Sequence, residues 1–330
     1  MKRNHIQILA LIATMICCAC SNEVGLDELK AAPKLVLYCF PNVDNDTTII
    51  SLTASRPMYQ NSLMVSSNDM YGVRDAHITY TVNGEKQTVF FTEEKTDLMP
   101  PRSYYVIGHH QVGDHVRIEA SVEGLPSVQA ETVIPDMPFI HEVKQVMIHR
   151  DNQNFRQFQV TIADNPNADD FYAIRLEMES SNDSIITITT ATINTDDEPA
   201  LKAGGSIDDL LDDENTFYGQ FYIFNDDTFN DNRYTLHLNV NEHDIFHANM
   251  DADDATRKVH VKLYKITPAY FRFIKSINDQ TNYELGEYGL APTSPTFNQV
   301  DGGLGVVGGF NMTEHVMTIT QNDLSNSNDK

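Results

Sequence analysis

The chain has 330 residues, of which 41% are hydrophobic, and its 23 basic and 47 acidic side chains give a formal net charge of −24. That length suits roughly two domains, and 16 Phe with 14 Tyr can fill two cores, which excludes wholesale disorder. The acidic balance excludes nucleic acid as a partner, because such a surface repels phosphate backbones, and it repels an anionic lipid surface in the same way.

Lys2 and Arg3 open the chain, an apolar run of 11 residues spans Ile6 to Ile16, and Cys17-Cys18-Ala19-Cys20 follows. A basic start, a short apolar stretch and a small residue before a cut describe a secretory signal peptide over residues 1–19. The run falls short of the about 20 residues that span a bilayer. A cysteine directly after Ala19 marks lipoprotein-type processing, with Cys20 acylated; Cys17 stands where Leu is usual, which leaves Cys18 as the alternative. Membrane attachment then comes from the acyl chains, at about 0.8 kcal/mol per buried CH₂. Loss of Lys2 and Arg3 with the leader takes the net charge from −24 to −26. Cys39 is then the one remaining thiol, so no internal disulfide forms, and its apolar run Leu35–Phe40 marks it as a buried structural residue.

Residues 20–33 are polar and end in Ala-Ala-Pro, a tether. From Lys34 the pattern has period two. Leu35–Phe40 and Thr48–Ala54 are strand-like. Ile78, Tyr80 and Val82 alternate with Thr79 and Thr81 ahead of Asn83-Gly84, the strongest short hairpin signal, and Lys86 to Phe91 returns. Val116, Ile118, Ala120 and Val122 alternate with polar residues, Gly124-Leu125-Pro126 turns the chain, and Val128, Ala130, Thr132 and Ile134 alternate again. Short strands at this spacing predict an Ig-like β-sandwich over 34–135, closed by Pro135-Asp136-Met137-Pro138 as a domain boundary.

The second half, 136–320, predicts a further β domain. Its strands are Phe158–Ile162, Phe171–Met178, Ile185–Ile193, Phe217–Phe224, Tyr234–Val240 and Val259–Ile266, separated by acidic, Asn-rich loops. One helix is expected over 267–280: Thr267 suits the N-cap, Pro268 the first turn, and Tyr270, Phe273, Ile274 and Ile277 form one apolar face that should pack on the sandwich. Residues 321–330 read as a flexible tail. The fold class is all-β: two sandwich-like domains, the first Ig-like, with one amphipathic helix packed on the second.

Few motifs carry chemistry. Gly303-Leu304-Gly305-Val306-Val307-Gly308 matches G-x-G-x-x-G, but it lacks the preceding strand and following helix that a dinucleotide site needs. A strand pressed against a neighbouring backbone is the expected reading. His243-Asp244-Ile245-Phe246-His247 resembles H-E-x-x-H, yet two histidines at that spacing chelate zinc only on a helix, and Asp would misplace the general base. A one-turn connection is expected there, with His237 able to join a weak cluster; His109, His110 and His115 form another, expected in a turn between strands. Asp251, Asp253 and Asp254, or Asp226, Asp227 and Asp231, could offer oxygens to Ca²⁺, but the EF-hand spacing is absent and solvated carboxylates are the default. No nucleophile elbow or Walker loop occurs, so no catalytic residue, no metal site and no cofactor is expected.

The C-terminal third carries a more specific pattern. Val261-Lys262-Leu263-Tyr264-Lys265-Ile266 leads into Thr267-Pro268-Ala269-Tyr270-Phe271-Arg272-Phe273-Ile274-Lys275-Ser276, then come Gln280, a Pro/Ser-rich loop at 291–295, and Asp301-Gly302-Gly303-Leu304-Gly305-Val306-Val307-Gly308-Gly309-Phe310. With Lys34-Leu35-Val36-Leu37 opening the first strand and Ile134-Pro135 closing the first domain, this resembles the Bacteroidota surface-lipoprotein family catalogued as domain of unknown function 4249. The lipobox without Leu and the Asn-rich insertions depart from the family pattern. The resemblance implies a non-enzymatic lipoprotein of the outer membrane, anchored by its acyl group and exposed at the cell surface. It also implies work beside a TonB-dependent receptor, as capture or lid protein for an unknown small ligand. The alternative is a structural or adhesive surface protein with the Ig-like domain as spacer. Asp46-Thr47-Thr48 and Asp183-Ser184-Ile185 resemble the tripeptide at which Bacteroidota O-glycosylate exported proteins, making Thr47 and Ser184 candidate glycosylation sites; Asn42–Asp46 reads as a polar turn where a glycan would meet only solvent.

Overall fold

The computed structural model describes residues 32–55, 72–96, 99–150, 152–182, 185–202, 221–229, 233–246, 256–281 and 297–320. Period-two sequence becomes period-two burial. In β1 (Leu35–Cys39) the side chains of Leu35, Leu37 and Cys39 are fully buried, and in β2 (Thr47–Ala54) Thr48, Ile50 and Leu52 point inward. β3 (His77–Val82), β4 (Glu85–Gln87), β5 (Val89–Thr92), β6 (Ser103–Ile107), β7 (His115–Ser121) and β8 (Val128–Val133) complete the first unit. The strands form two sheets in the orders β1-β2-β6-β5 and β4-β3-β7-β8. Those are the A-B-E-D and C′-C-F-G orders of an immunoglobulin-type sandwich, so the first domain is Ig-like in topology as well as in composition.

One expected strand divides. Lys86 to Phe91 is not continuous: β4 pairs with β3, whereas β5 crosses to the other sheet and pairs with β6. Asn83 and Gly84 both have positive φ, as the tight hairpin between β3 and β4 requires. Past Thr88 the chain gains more from β6, where Phe90 stacks on Tyr105 at 5.4 Å and Phe91 meets Tyr104 at 4.8 Å.

The second sandwich sets β9 (Phe139–Arg150), β10 (Gln153–Ala163) and β14 (Arg233–Asn241), in the order β14-β10-β9, against a larger sheet. That sheet runs β12-β11-β15-β17, built from β11 (Phe171–Asn182), β12 (Ile185–Thr190), β15 (Thr256–Ile266) and β17 (Phe310–Thr320). β13 (Tyr222–Asn225) shares the edge of β11 with β12, since β11 is long enough to hold one at each end. Phe158, Val160, Tyr172, Ile174, Leu236, Leu238, Val261 and Leu263 fill the space between the sheets. Two short helical turns lie at its margins, α1 (Pro199–Lys202) and α2 (Glu242–Phe246). No helix among the described residues is long and apolar enough to cross a membrane.

The expected helix forms as α3 (Pro268–Thr281), with Tyr270, Phe273 and Ile274 buried. Its start differs in one respect. The buried Thr267 hydroxyl has no hydrogen-bond partner, so it does not cap; the first helical bond runs from Phe271 N–H to Thr267 O at 2.9 Å, and Thr267 N–H donates to Gly309 O at 3.1 Å. The helix also packs on more than the second sandwich. Phe273 meets Tyr38 at 5.5 Å and Tyr270 meets Phe40 at 4.5 Å, both on the β1 side, while Phe271 meets Phe171 of β11 at 5.0 Å. A third apolar cluster, with Ala173, Ile223, Ile266 and Val306, thus joins the two sandwiches.

The glycine segment is placed elsewhere than its position within 136–320 suggests. β16 (Leu304–Val307) pairs in parallel with β1, from Val36 opposite Leu304 to Cys39 opposite Val307, and so belongs to the first sandwich. A bulky residue could not follow this path: a Cβ on Gly308 would lie 2.6 Å from Tyr270 Cβ, and one on Gly309 would lie 2.5 Å from Val133 O. The segment is the strand pressed against backbone that its composition predicts, not a phosphate loop.

Candidate functional site

A cleft opens where the first sandwich, the larger sheet of the second and α3 meet, with a volume of about 370 Å³. Its position follows from a break in strand patterning. Along β15 the residues Lys258, His260 and Lys262 point away from the second core, and the same face then continues with Tyr264 and Ile266. On β17 the matching face runs from Phe310 and Met312, opposite Ile266 and Tyr264, to Glu314, opposite Lys262. The outer face of this sheet is therefore apolar at one end and charged at the other. At the charged end Glu177 holds Lys262 at 2.6 Å and Arg175 at 3.2 Å, and His260 bridges Glu179 and Glu314 at 3.0 and 2.8 Å.

The apolar end is the cleft floor, and it is aromatic. Phe221 meets Tyr264 edge-on at 4.9 Å, Tyr264 lies 6.0 Å from Phe310, Phe310 lies 6.4 Å from Tyr270, and Tyr270 lies 4.5 Å from Phe40. Five rings, from β15, α3 and β17 and from the residues flanking β1 and β13, thus form one arc lining the cavity. Burial pushes the Tyr264 phenol up to about 12 and raises that of Tyr270, so both stay neutral. The opposite rim is polar and comes from Asn42, Asp44 and Asn45 of the turn between β1 and β2 and from Thr47 and Thr48 at the start of β2.

The rim is held by hydrogen bonds. Asn42 Oδ1 accepts from the backbone N–H of Asp44 and of Asn45, each at 3.0 Å, an Asx turn. Fully buried Asn311 of β17 pins this turn to the second sandwich: its Oδ1 accepts from Val43 N–H at 3.1 Å and its Nδ2 donates to Pro135 O. Behind the rim, His110 Nε2 lies 3.0 Å from the hydroxyls of both Thr48 and Tyr80, and burial pushes the imidazole below its ordinary value.

The family model described as domain of unknown function (DUF4249) matches residues 22–315. The chain belongs to this family. No curated protein matches. A solved structure described as "The Enterococcus faecalis MSCRAMM ACE binds its ligands by the collagen Hug Model" is similar at 10% identity and a TM-score of 0.20, over 87% of this chain and 93% of that one. A superposition that loose carries no inference.

Of the candidate modification sites read from the sequence, the structure brings Thr47 to the cleft. Thr47 is the first residue of β2; it is half-buried on the cleft wall, with its hydroxyl donating to Asp46 Oδ1 at 3.0 Å, and Asn42 is buried where an open polar turn is expected. A glycan on Thr47 would stand at the cleft mouth. Cys20 and Ser184 lie outside the described residues, as do His247, Asp231, Asp251, Asp253 and Asp254. His243 is exposed on α2, and His237 stands beside Glu198, its ring nitrogen 3.6 Å from that buried carboxylate. Glu198 is instead satisfied locally, by Tyr234 hydroxyl and His237 N–H, each at 2.7 Å. Asp226 is buried and accepts from Asp170 N–H at 2.9 Å, and Asp227 accepts from Asn225. Among the described residues no group of three potential metal ligands converges. Cys39 is fully buried, and burial raises its thiol far above the reactive range.

Proposed function

We propose that this chain is a non-enzymatic lipoprotein of the outer membrane, anchored through acylated Cys20 and exposed at the cell surface, that captures a small ligand for a TonB-dependent receptor. The cleft carries the reading. An aromatic floor facing a polar rim, at the junction of two sandwiches, has the size and lining of a small-molecule site. Pinning of the rim by Asn311 and of the floor by α3 makes the cleft pre-formed, which lowers the ordering cost of binding. The leader sequence and the resemblance to surface lipoproteins support the location, and the capture role needs no cofactor.

The test is extraction of the native lipoprotein in mild detergent, alongside Met312→Trp, which fills the cleft at a half-buried position. A β-barrel receptor should copurify with both forms, and a small molecule retained in native mass spectrometry should be lost from the variant. A lipoprotein that brings down no barrel and carries the same masses with or without the substitution overturns the proposal.

A further inference from the structure

We infer that the cleft selects an organic cation, an ammonium group on an apolar body, over anionic and neutral analogues of the same shape. This rests on the cleft being the ligand site. Three observations point the same way. Asp44, exposed at the mouth, is the one charged residue among the described residues lining the cleft, which include no Lys, Arg or His. The turn that forms the rim offers an anion little: its side-chain amides, on Asn42 and Asn45, carry no charge. The backbone N–H groups of Val43, Asp44 and Asn45 already donate to Asn311 and Asn42. The Thr47 hydroxyl faces Asp46, and that of Thr48 faces His110. What the mouth offers instead is a carboxylate.

The floor agrees with the rim. Aromatic faces attract cations and stack on apolar bodies, and the arc presents five rings within one cavity. Arg175 hydrogen-bonds the Tyr264 phenol from behind the floor but does not itself line the cleft. Its guanidinium lies 5.5 Å from the Phe221 ring centroid and is paired with Glu177 at 3.2 Å, so its charge is offset where it stands. A carboxylate or phosphate ligand would meet Asp44, the already engaged N–H groups of Val43, Asp44 and Asn45, and a chain of net charge −24. An ammonium would meet Asp44 and ring faces.

Three soluble probes of one shape separate the possibilities: phenethylammonium, 2-phenylethanol and 3-phenylpropionate, titrated into the purified lipoprotein by calorimetry and ligand-observed NMR. Phenethylammonium should bind about tenfold more tightly than the alcohol, and phenylpropionate should not bind measurably. Asp44→Asn, at an exposed position, should weaken the ammonium about threefold and leave the alcohol unchanged. Met312→Trp should remove binding of both. If ammonium and alcohol bind equally, or the carboxylate binds best, while Met312→Trp still blocks them, charge selection is wrong and the cleft stands. If no probe binds, or binding ignores Met312→Trp, the cleft reading itself falls and the selection with it.

Discussion

Gly305→Ala is the sharpest test of how the two sandwiches are joined. Gly305 sits in β16 at φ +112°, opposite Leu37 in the parallel pairing with β1. A Cβ there would fall on the Leu37 peptide, 2.9 Å from its carbonyl carbon and 3.0 Å from its nitrogen. Two costs combine. The backbone torsion alone costs about 1–3 kcal/mol for a residue with a side chain. Relieving the overlap means moving β16 away from β1, and that draws Val306 and Val307, both fully buried, partly out of their clusters; full exposure of one such side chain costs about 1.5–3 kcal/mol. A total loss of about 4 kcal/mol follows, or a fall in melting temperature of about 8–16 °C at about 2–4 °C per kcal/mol. Gly84→Ala is the matched control: Gly84 has φ +85°, yet a Cβ there would have nothing within 4 Å. It should show the torsional cost alone, about 1–2 kcal/mol. Circular dichroism melts of the two variants check this, since the chain has 0 Trp and its Tyr signal is spread over both sandwiches. Equal melting temperatures for the two variants would refute the close approach of β16 to β1.

Three further outcomes follow from buried polar groups. Asn311→Leu leaves Val43 N–H and Pro135 O without their partner, and denaturant unfolding should show a loss of about 2–5 kcal/mol; a loss below about 1 kcal/mol would mean the rim is not pinned there. Glu242→Ala leaves the fully buried Arg156 guanidinium without its carboxylate, which pairs at 2.9 Å. The expected cost is about 3–5 kcal/mol, and Arg156→Met with Glu242→Leu should recover most of it in the same melts. His110 titrates below its ordinary value of 6.5 because it is buried, so below 6.5 the unfolded chain binds a proton that the folded chain refuses. Its contribution is therefore full above pH 6.5 and lost as pH falls through the depressed folded value; His110→Gln should lose less stability than the parent between pH 7.5 and 5.5, and an equal loss would sink the assignment.

Much of the fold was legible because burial follows a period the sequence displays. Leu35, Leu37 and Cys39, or Val259, Val261 and Leu263, alternate in the chain as they do in the sheets. The α3 face was legible from Tyr270, Phe273 and Ile274 at helical spacing. Other elements were hidden by their composition. β6 reads Ser-Tyr-Tyr-Val-Ile, a nearly unbroken apolar run with no alternation, and β9 mixes charged with apolar residues because most of its length is half-exposed. The division at Thr88 depends on which sheet gives the following residues better partners, a choice that local sequence does not encode. The parallel pairing of β16 with β1 joins residues more than 260 positions apart, and composition could indicate only that some backbone must lie close to those glycines.

The cleft was partly legible, in a signal of a different kind. A strand with one buried face should be polar on the other, yet β1 carries Tyr38 on the face opposite Leu37 and Cys39, and Phe40 follows directly after it. β15 likewise places Tyr264 and Ile266 on the face opposite Val261 and Leu263. Apolar residues out of phase at the end of a strand require a second partner, and here that partner is α3 with the facing sandwich. What the sequence could not supply is which out-of-phase ends meet. The cleft draws its walls from Phe40 and the turn after β1, β2, β11, Phe221, β15, α3 and β17, and β16 is the strand that runs along β1 before the chain enters β17. A fragment ending at residue 135 would lose β16, leave the outer edge of β1 unpaired, and remove Val300 and Val307 from the first core. The two sandwiches share a strand pairing and an apolar cluster, and the cleft is lined from both.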